Sequence, residues 1–193
     1  RSVTLDGRLF CQDPVSAARE LIGARLVCGG CSGIVVETEA YAETGDEAAH
    51  TFFKPSARAF VAEHDAGAAY VYLNYGMYWL ANVLTKGESG AGFVLLRALR
   101  PERGLATMRR RRAREKPADL CSGPGKLTIA LGINGDDHGG AFVGSGARFW
   151  FEEPPEALEV EEDRRVGINR SVELPWRFLA KGSDFVSRPP GKA

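Results

Sequence analysis

The pattern of apolar and polar positions reads as short strands with helices set between them. Residues 13–23 predict a helix: Asp13 can cap it, Pro14 takes the first helical position and Gly23 ends it. Arg25 to Cys28 and Gly33 to Tyr41 read as two strands joined by a Gly29-Gly30 turn, a hairpin pattern. Tyr70 to Asn74 and Met77 to Leu84 form a second pair around Tyr75-Gly76, and Gly92 to Leu99 is a third strand segment. A helix is expected from Pro101 to Arg114 and a shorter one from Gly125 to Leu131. The tail adds strands at Ala147–Glu152, Glu159–Glu162 and Arg177–Ala180. Thr51 to Ala66 shows neither period and is expected to be an irregular loop, of the length that often carries function. Locally paired strands with interspersed helices predict an α+β class around a largely antiparallel sheet.

Within that pattern, Val35 to Tyr41 alternates with period two. Glu37, Glu39 and Tyr41 therefore share one face, and Val36, Thr38 and Ala40 share the other. His50 follows Tyr41 by nine residues. A carboxylate beside an aromatic ring and a histidine is a plausible acid–base site, although solvent-facing strand residues give the same pattern. Residues 70–79 pack four tyrosines and a tryptophan into ten positions. Tyr70 and Tyr78 are accounted for as strand residues. Tyr75 falls at a hairpin tip, which points at water, and an aromatic wedge there could enter between stacked bases.

Composition narrows the class without naming a partner. The 193 residues suit one domain, 1–193, and 44% hydrophobic with 26% charged residues is ordinary for a globular protein. No apolar run is long enough to span a bilayer, and Arg1–Asp6 lacks the apolar stretch of a secretory signal. Four dispersed cysteines make no disulfide framework, so the chain reads as intracellular: cytoplasm or nucleoid in a bacterium, nucleus in a eukaryote. Lys and Arg total 25 against 25 for Asp and Glu. Locally, nine basic residues against two acids between Arg97 and Lys116 leave +7, and Glu152 to Asp163 holds seven acids and no bases. Such segregation can present one polyanion-facing surface on a neutral molecule, or simply two solvated faces. The run Arg109 to Arg112 is read the same way, as diffuse phosphate attraction or a solvated helix. Cys28-Gly29-Gly30-Cys31 brackets a turn and lacks a second close pair of ligands, so neither a metal nor a cofactor is expected.

Several segments, in order, resemble one family. Val36-Glu37-Thr38-Glu39-Ala40-Tyr41, then Asp46-Glu47-Ala48-Ala49-His50, resemble the alkyladenine (3-methyladenine) DNA glycosylases of the mammalian type. So do Tyr70-Val71-Tyr72, Tyr75-Gly76-Met77-Tyr78, Asn82, Val94 to Leu99, Gly104-Leu105 with Met108-Arg109, Leu120 to Lys126 and Arg165 to Ile168. The resemblance runs from about residue 8 to residue 185. It implies a single α+β domain, a largely antiparallel curved sheet with surrounding helices and a protruding β-hairpin. It implies Glu39 as the base that activates water, with Arg97 and a backbone carbonyl, assigned to Ile168, holding Glu and water in place. Tyr41, His50 and Tyr72 would enclose the flipped base, Asn82 would crowd a purine 2-amino group, and Tyr75 would intercalate. Met77, Tyr78, Ser122, Gly123 and Lys126 would contact DNA, the last three at a loop and helix start of the kind that meets phosphate. The loop before the tyrosine hairpin departs from the family's Thr-Pro-Arg run. Ser56-Ala57-Arg58 stands there instead, Glu63 and Asp65 add negative charge, and Arg58 alone is kept as a DNA contact.

The implied activity is monofunctional release of alkylated or deaminated purines from double-stranded DNA by a monomer, through 3-methyladenine, 7-methylguanine, hypoxanthine and ethenoadenine. Purines alkylated at N3 or N7 carry positive charge, and a cation between the Tyr41 and Tyr72 rings gains ~0.5–2 kcal/mol. A neutral lesion also needs its leaving group protonated. Glu37 lies on the right face for that, and is equally credible as part of an ion pair. Two other classes stay open from the residues alone: a non-catalytic nucleic-acid module using the tyrosine hairpin as a stacking platform, and a small-molecule nucleoside hydrolase.

Overall fold

The computed structural model describes residues 3–143 and 147–192. Strands β1 (Arg25–Cys28) and β2 (Cys31–Ala42) meet at the Gly29-Gly30 turn, with Cys28 opposite Cys31. Ahead of them, α1 (Pro14–Glu20) starts as its sequence requires: the Asp13 carboxylate accepts from the Val15 and Ser16 amides, and Pro14 needs no partner. The sheet continues through β3 (Ala69–Asn74), β4 (Tyr78–Gly87), β5 (Gly90–Arg103), β6 (Phe149–Glu152), β7 (Val160–Asp163) and β8 (Arg177–Ala180). Its order is β3-β4-β5-β2-β1-β6, every pair antiparallel, with β8 joined to β2 and β7 to β8.

β2 is the hinge of this arrangement. One of its edges pairs with β5 throughout, while the other pairs with β1 as far as Ile34 and with β8 from Glu37. The register against β5 slips between Val35 and Thr38, where the partner strands change over. Bulges add twist and re-aim side chains, and this one lies beside Glu37 and Glu39. Cross-strand register then aligns Tyr70, Asn82, Leu95, Glu39 and Arg177 in a single row across five strands. The face of β2 bearing Val36, Thr38 and Ala40 packs into the apolar core with Phe10, Leu21, Leu26, Phe151 and Phe178. Thr38 is reconciled to that burial by donating its hydroxyl to the Ala18 carbonyl at 2.7 Å.

Three expectations need correction. Thr51 to Ala66 is mostly helical, not an irregular loop: α2 spans His50–Phe53 and α3 spans Pro55–Glu63. Pro55 opens α3, and Ala57, Phe60 and Val61 bury one face at helical spacing. The helix expected from Pro101 begins later, because β5 runs through Arg103 and left-handed Gly104 turns the chain into α4 (Leu105–Arg112). The acidic segment is also less segregated than its sequence suggests, while the arginines of α4 are only oriented. Arg109, Arg111 and Arg112 donate to the carbonyls of Glu115, Ala130 and Leu120. In the acidic segment, Glu152 pairs with Arg25, Glu156 with Arg100, Glu159 with Lys181, Glu162 with Arg19 and Asp163 with Arg177. Much of the acidic excess is therefore cancelled by long-range pairing, whereas bonds to neutral carbonyls leave the arginine charges of α4 in place.

The short helix α5 (Pro124–Leu131) abuts the β3–β4 hairpin, with Gly125 so close that a Cβ there would meet Tyr78 at 3.0 Å. Among the described residues, no helix is long and apolar enough to cross a membrane.

Candidate active site

A cavity of about 640 Å³ opens on the β2–β5–β4–β3 face, a size typical of small-molecule pockets. Tyr41, His50, Tyr72, Asn82, Arg97 and Ile168, all expected in the site, are among its walls. Tyr75 stands at its edge.

Glu39 lies beneath this floor with no exposed surface. Its surroundings are polar. One oxygen accepts the Val166 amide at 2.6 Å and lies 3.5 Å from Arg97 Nε; the other accepts the Tyr41 hydroxyl at 2.7 Å. Tyr41 reaches it because positions i and i+2 of a strand share a face. Burial, reinforced by the Glu39 charge, pushes the Tyr41 phenol well above its usual range, so it stays protonated as the donor. The Val166 amide was not foreseen: the same segment was expected to contribute a carbonyl at Ile168, which lines the cavity.

Glu37 is one step deeper and fully committed. Oε1 accepts from Arg97 Nε at 3.0 Å, Arg177 Nε at 2.8 Å and the Ser187 hydroxyl at 2.8 Å, while Oε2 accepts the Ser187 amide at 2.5 Å. Of its two open roles, the geometry matches the ion pair. Burial works against the Arg97 charge, but Glu39 and Glu37 outweigh it and hold the guanidinium above its ordinary range. Arg97 thus bridges the two carboxylates.

His50 begins α2, where its Nδ1 meets the Tyr70 hydroxyl at 3.1 Å and its ring lies 4.4 Å from that of Tyr72. Burial, followed by the nearby Lys54 charge, lowers its imidazole to about 4, so the ring is neutral at ordinary pH. Tyr70, taken from the pattern as an ordinary strand residue, lines the cavity and is missing from the expected site. Asn82 is held by its side-chain amide, which donates to the Tyr70 carbonyl at 3.0 Å.

A second support was invisible locally. Arg165 clamps Asp46 through two bonds of 2.6 and 2.9 Å and donates to the Ala40 carbonyl. Its guanidinium lies between the rings of Tyr41 and Trp176, at 4.7 and 5.4 Å from their centroids. Across the cavity, Lys54 Nζ lies 5.3 Å from the Tyr72 centroid.

The hairpin tip projects beside this cavity. Tyr75 is 82% exposed and takes φ 51°, Gly76 takes φ 66°, and the Met77 amide donates to the Asn74 carbonyl, the pattern of a tight hairpin turn. Met77 and Tyr78 are exposed next to it. Pro124, at the start of α5, joins the cavity wall, with Ser122, Gly123 and Lys126 around it. Arg58 turns its guanidinium to the Thr51 carbonyl at 2.7 Å, within α2. Cys28 and Cys31 are buried free thiols directed at the Leu131 and Gly104 carbonyls. Among the described residues, no three potential ligands are grouped to hold a metal.

Residues 8–184 match the methylpurine-DNA glycosylase family. A Rhodopseudomonas palustris protein named "Putative 3-methyladenine DNA glycosylase" is 44% identical over 180 residues, covering 93% of this chain and 86% of its own. A Bradyrhizobium diazoefficiens protein of the same name is 44% identical over 179 residues, covering 89% and 84%. One from Rubrobacter xylanophilus, also of that name, is 42% identical over 182 residues, covering 89% and 90%. The cavity and the carboxylate beneath it are therefore built by the sequence of a DNA glycosylase, and the chain belongs to the methylpurine-DNA glycosylase family.

Proposed function

We propose that this protein extrudes damaged purines from double-stranded DNA and hydrolyses the glycosidic bond, leaving an abasic site. One observation carries the reading: a carboxylate, Glu39, anchored on three sides by Arg97, Tyr41 and Val166 beneath a cavity walled by aromatic rings. The substrate class is alkylated and deaminated purines, with 3-methyladenine, 7-methylguanine, hypoxanthine and ethenoadenine as its members.

Extrusion costs a few kcal/mol in lost stacking and pairing, and Tyr75 entering the vacated gap offsets part of it. The base then lies between Tyr41 and Tyr72 beside neutral His50, with Asn82 against its edge. A carboxylate oxygen can accept two hydrogen bonds. The Glu39 oxygen that takes the Tyr41 hydroxyl thus retains a lone pair for water once the floor parts by a water's width. Glu39 accepts the water proton and offsets the positive charge that grows on the sugar, while Arg97 and the Ile168 carbonyl hold the reactants in place. A cationic purine leaves as a neutral base, and an uncharged one takes up its proton from solvent, to which Glu39 returns the one it accepted. Met77, Tyr78, Ser122, Gly123, Lys126 and Arg58 meet the DNA around this point. The protein acts as a monomer, all of residues 1–193 forming one glycosylase domain, inside the cell where the DNA lies.

The test is release of free base from duplexes carrying each lesion, by wild type and by Glu39→Gln. Release should disappear in the variant while lesion-DNA binding persists. Undiminished release by Glu39→Gln would refute the assignment. No covalent adduct should be trapped by borohydride, since no lysine among the described residues is placed against Glu39.

A further inference from the structure

Two of the aromatic rings that wall the cavity, Tyr41 and Tyr72, each carry a cation. Arg165 lies 4.7 Å from the Tyr41 centroid and Lys54 5.3 Å from the Tyr72 centroid. Neither cation is among the described residues that wall the cavity, whereas both rings are. The two are not equivalent. Arg165 is fully buried and clamped by both oxygens of Asp46, so its charge is matched on the spot. Lys54 has no carboxylate partner among the described residues; its ammonium rests over the rings of Tyr72 and Phe53 alone.

A ring engaged by a cation on one face is a poorer platform for a second cation on the other, because the two charges repel through it. With the base stacked at ~3.5–4 Å on the cavity side, its centre would lie ~9 Å from Lys54 Nζ. Low-dielectric protein rather than water fills most of that gap, so the repulsion is only partly screened. The field of Lys54 does reach into the cavity, since after burial it is the other influence that keeps His50 unprotonated.

We infer that Lys54 is a specificity-determining residue that lowers the advantage of positively charged purines over uncharged ones in this cavity. The inference rests on the proposed base-flipping function and deepens it. Lys54 sets the charge preference of a pocket whose other cationic side chains are neutral or paired: His50 is neutral, Arg97 is matched by Glu37 and Glu39, Arg165 by Asp46, and Arg170, which also lines the cavity, meets Glu47 at 3.5 Å. Lys54 is part-exposed, and its backbone joins α2 to α3 whatever side chain it carries, so neutral replacement should leave the fold intact.

The experiment compares affinity for two duplexes of the same sequence, one with 7-methylguanine and one with hypoxanthine, under mildly acidic conditions that keep the methylated base cationic. It is made in the Glu39→Gln background, so that the base is bound and not cut. Adding Lys54→Met should raise the preference for 7-methylguanine over hypoxanthine by about three- to ten-fold, after discounting for solvent and salt. Lys54→Arg should leave the ratio as it was, and added salt should shrink the effect of Lys54→Met. Equal weakening on both duplexes would make Lys54 a phosphate contact and overturn the inference, as would no change on either. Wild-type protein that releases neither base would remove the underlying function. Release by wild type with an unmoved binding ratio would remove this inference alone.

Discussion

The Tyr41 hydroxyl donates to a Glu39 oxygen at 2.7 Å from two positions along the same strand. The ring that walls the cavity and the carboxylate below it are thereby one unit. A base brought against Tyr41, as proposed, would therefore meet a ring that also settles where the carboxylate points.

Tyr41→Phe therefore separates stacking from positioning, since the ring stays and only the donor goes. A hydrogen bond to a charged group contributes ~1.5–3 kcal/mol, which corresponds to a loss of about ten- to a hundred-fold in the rate of base release. Affinity for lesion DNA should be little changed. Single-turnover release with excess enzyme checks this, and a variant as fast as wild type would show that the bond does not position the base.

Glu37 yields a prediction about stability. It is the shared acceptor for Arg97 and Arg177 in a site with no exposed surface on its carboxylate. Removing one member of a buried pair leaves the others uncompensated, at a cost of about 3–5 kcal/mol. Glu37→Gln should lower the urea midpoint accordingly and slow release of every lesion. A variant of wild-type stability that fails only on uncharged lesions would instead restore Glu37 as a proton donor.

Local pattern made part of this site legible. Alternation in β2 put Glu37, Glu39 and Tyr41 on one face, and turn chemistry located Tyr75 at an exposed tip, because both depend on residues a few positions apart. The supports of those residues do not. Arg165 meets Asp46 across 119 residues, Arg177 meets Glu37 across 140, and the Ser187 amide reaches Glu37 across 150. No local period records which distant arginine will face a given carboxylate. The arginine run of α4 shows the same limit: its charge is visible in the sequence, but the carbonyls that accept from it are not. The helix α3 was within reach, since Ala57, Phe60 and Val61 have helical spacing, yet the surrounding charged residues hid the stripe.

His50 predicts a pH dependence. Its imidazole is held near 4 in the folded protein, against an ordinary 6.5. Between those values the unfolded chain takes up a proton that the native residue refuses, so stability falls as pH drops through this window. Below about 4 the native residue is protonated too, and the loss levels off. His50→Asn should remove this component, so the stability difference between variant and wild type should shift in the variant's favour on going from pH 6.5 to 4. Urea midpoints across the window give the comparison, and parallel curves would contradict it.

Tyr75 opposes fold to function most directly. An aromatic residue at φ 51° sits in the left-handed region, which costs a non-glycine residue roughly 1–2 kcal/mol, while its side chain is 82% exposed and gains little from packing. Asparagine tolerates that conformation better. Tyr75→Asn should therefore stabilise the protein by about 0.5–1 kcal/mol, a rise of a few degrees in Tm. The same change removes the proposed wedge, so release from a fully paired duplex should fall steeply. It should fall less for a lesion opposite a mismatched base, where extrusion meets less resistance. Thermal melts and the two release rates test both halves. A destabilised Tyr75→Asn protein would mean that the ring has a partner in the fold, and equal losses on the two duplexes would mean that it does not hold the gap open.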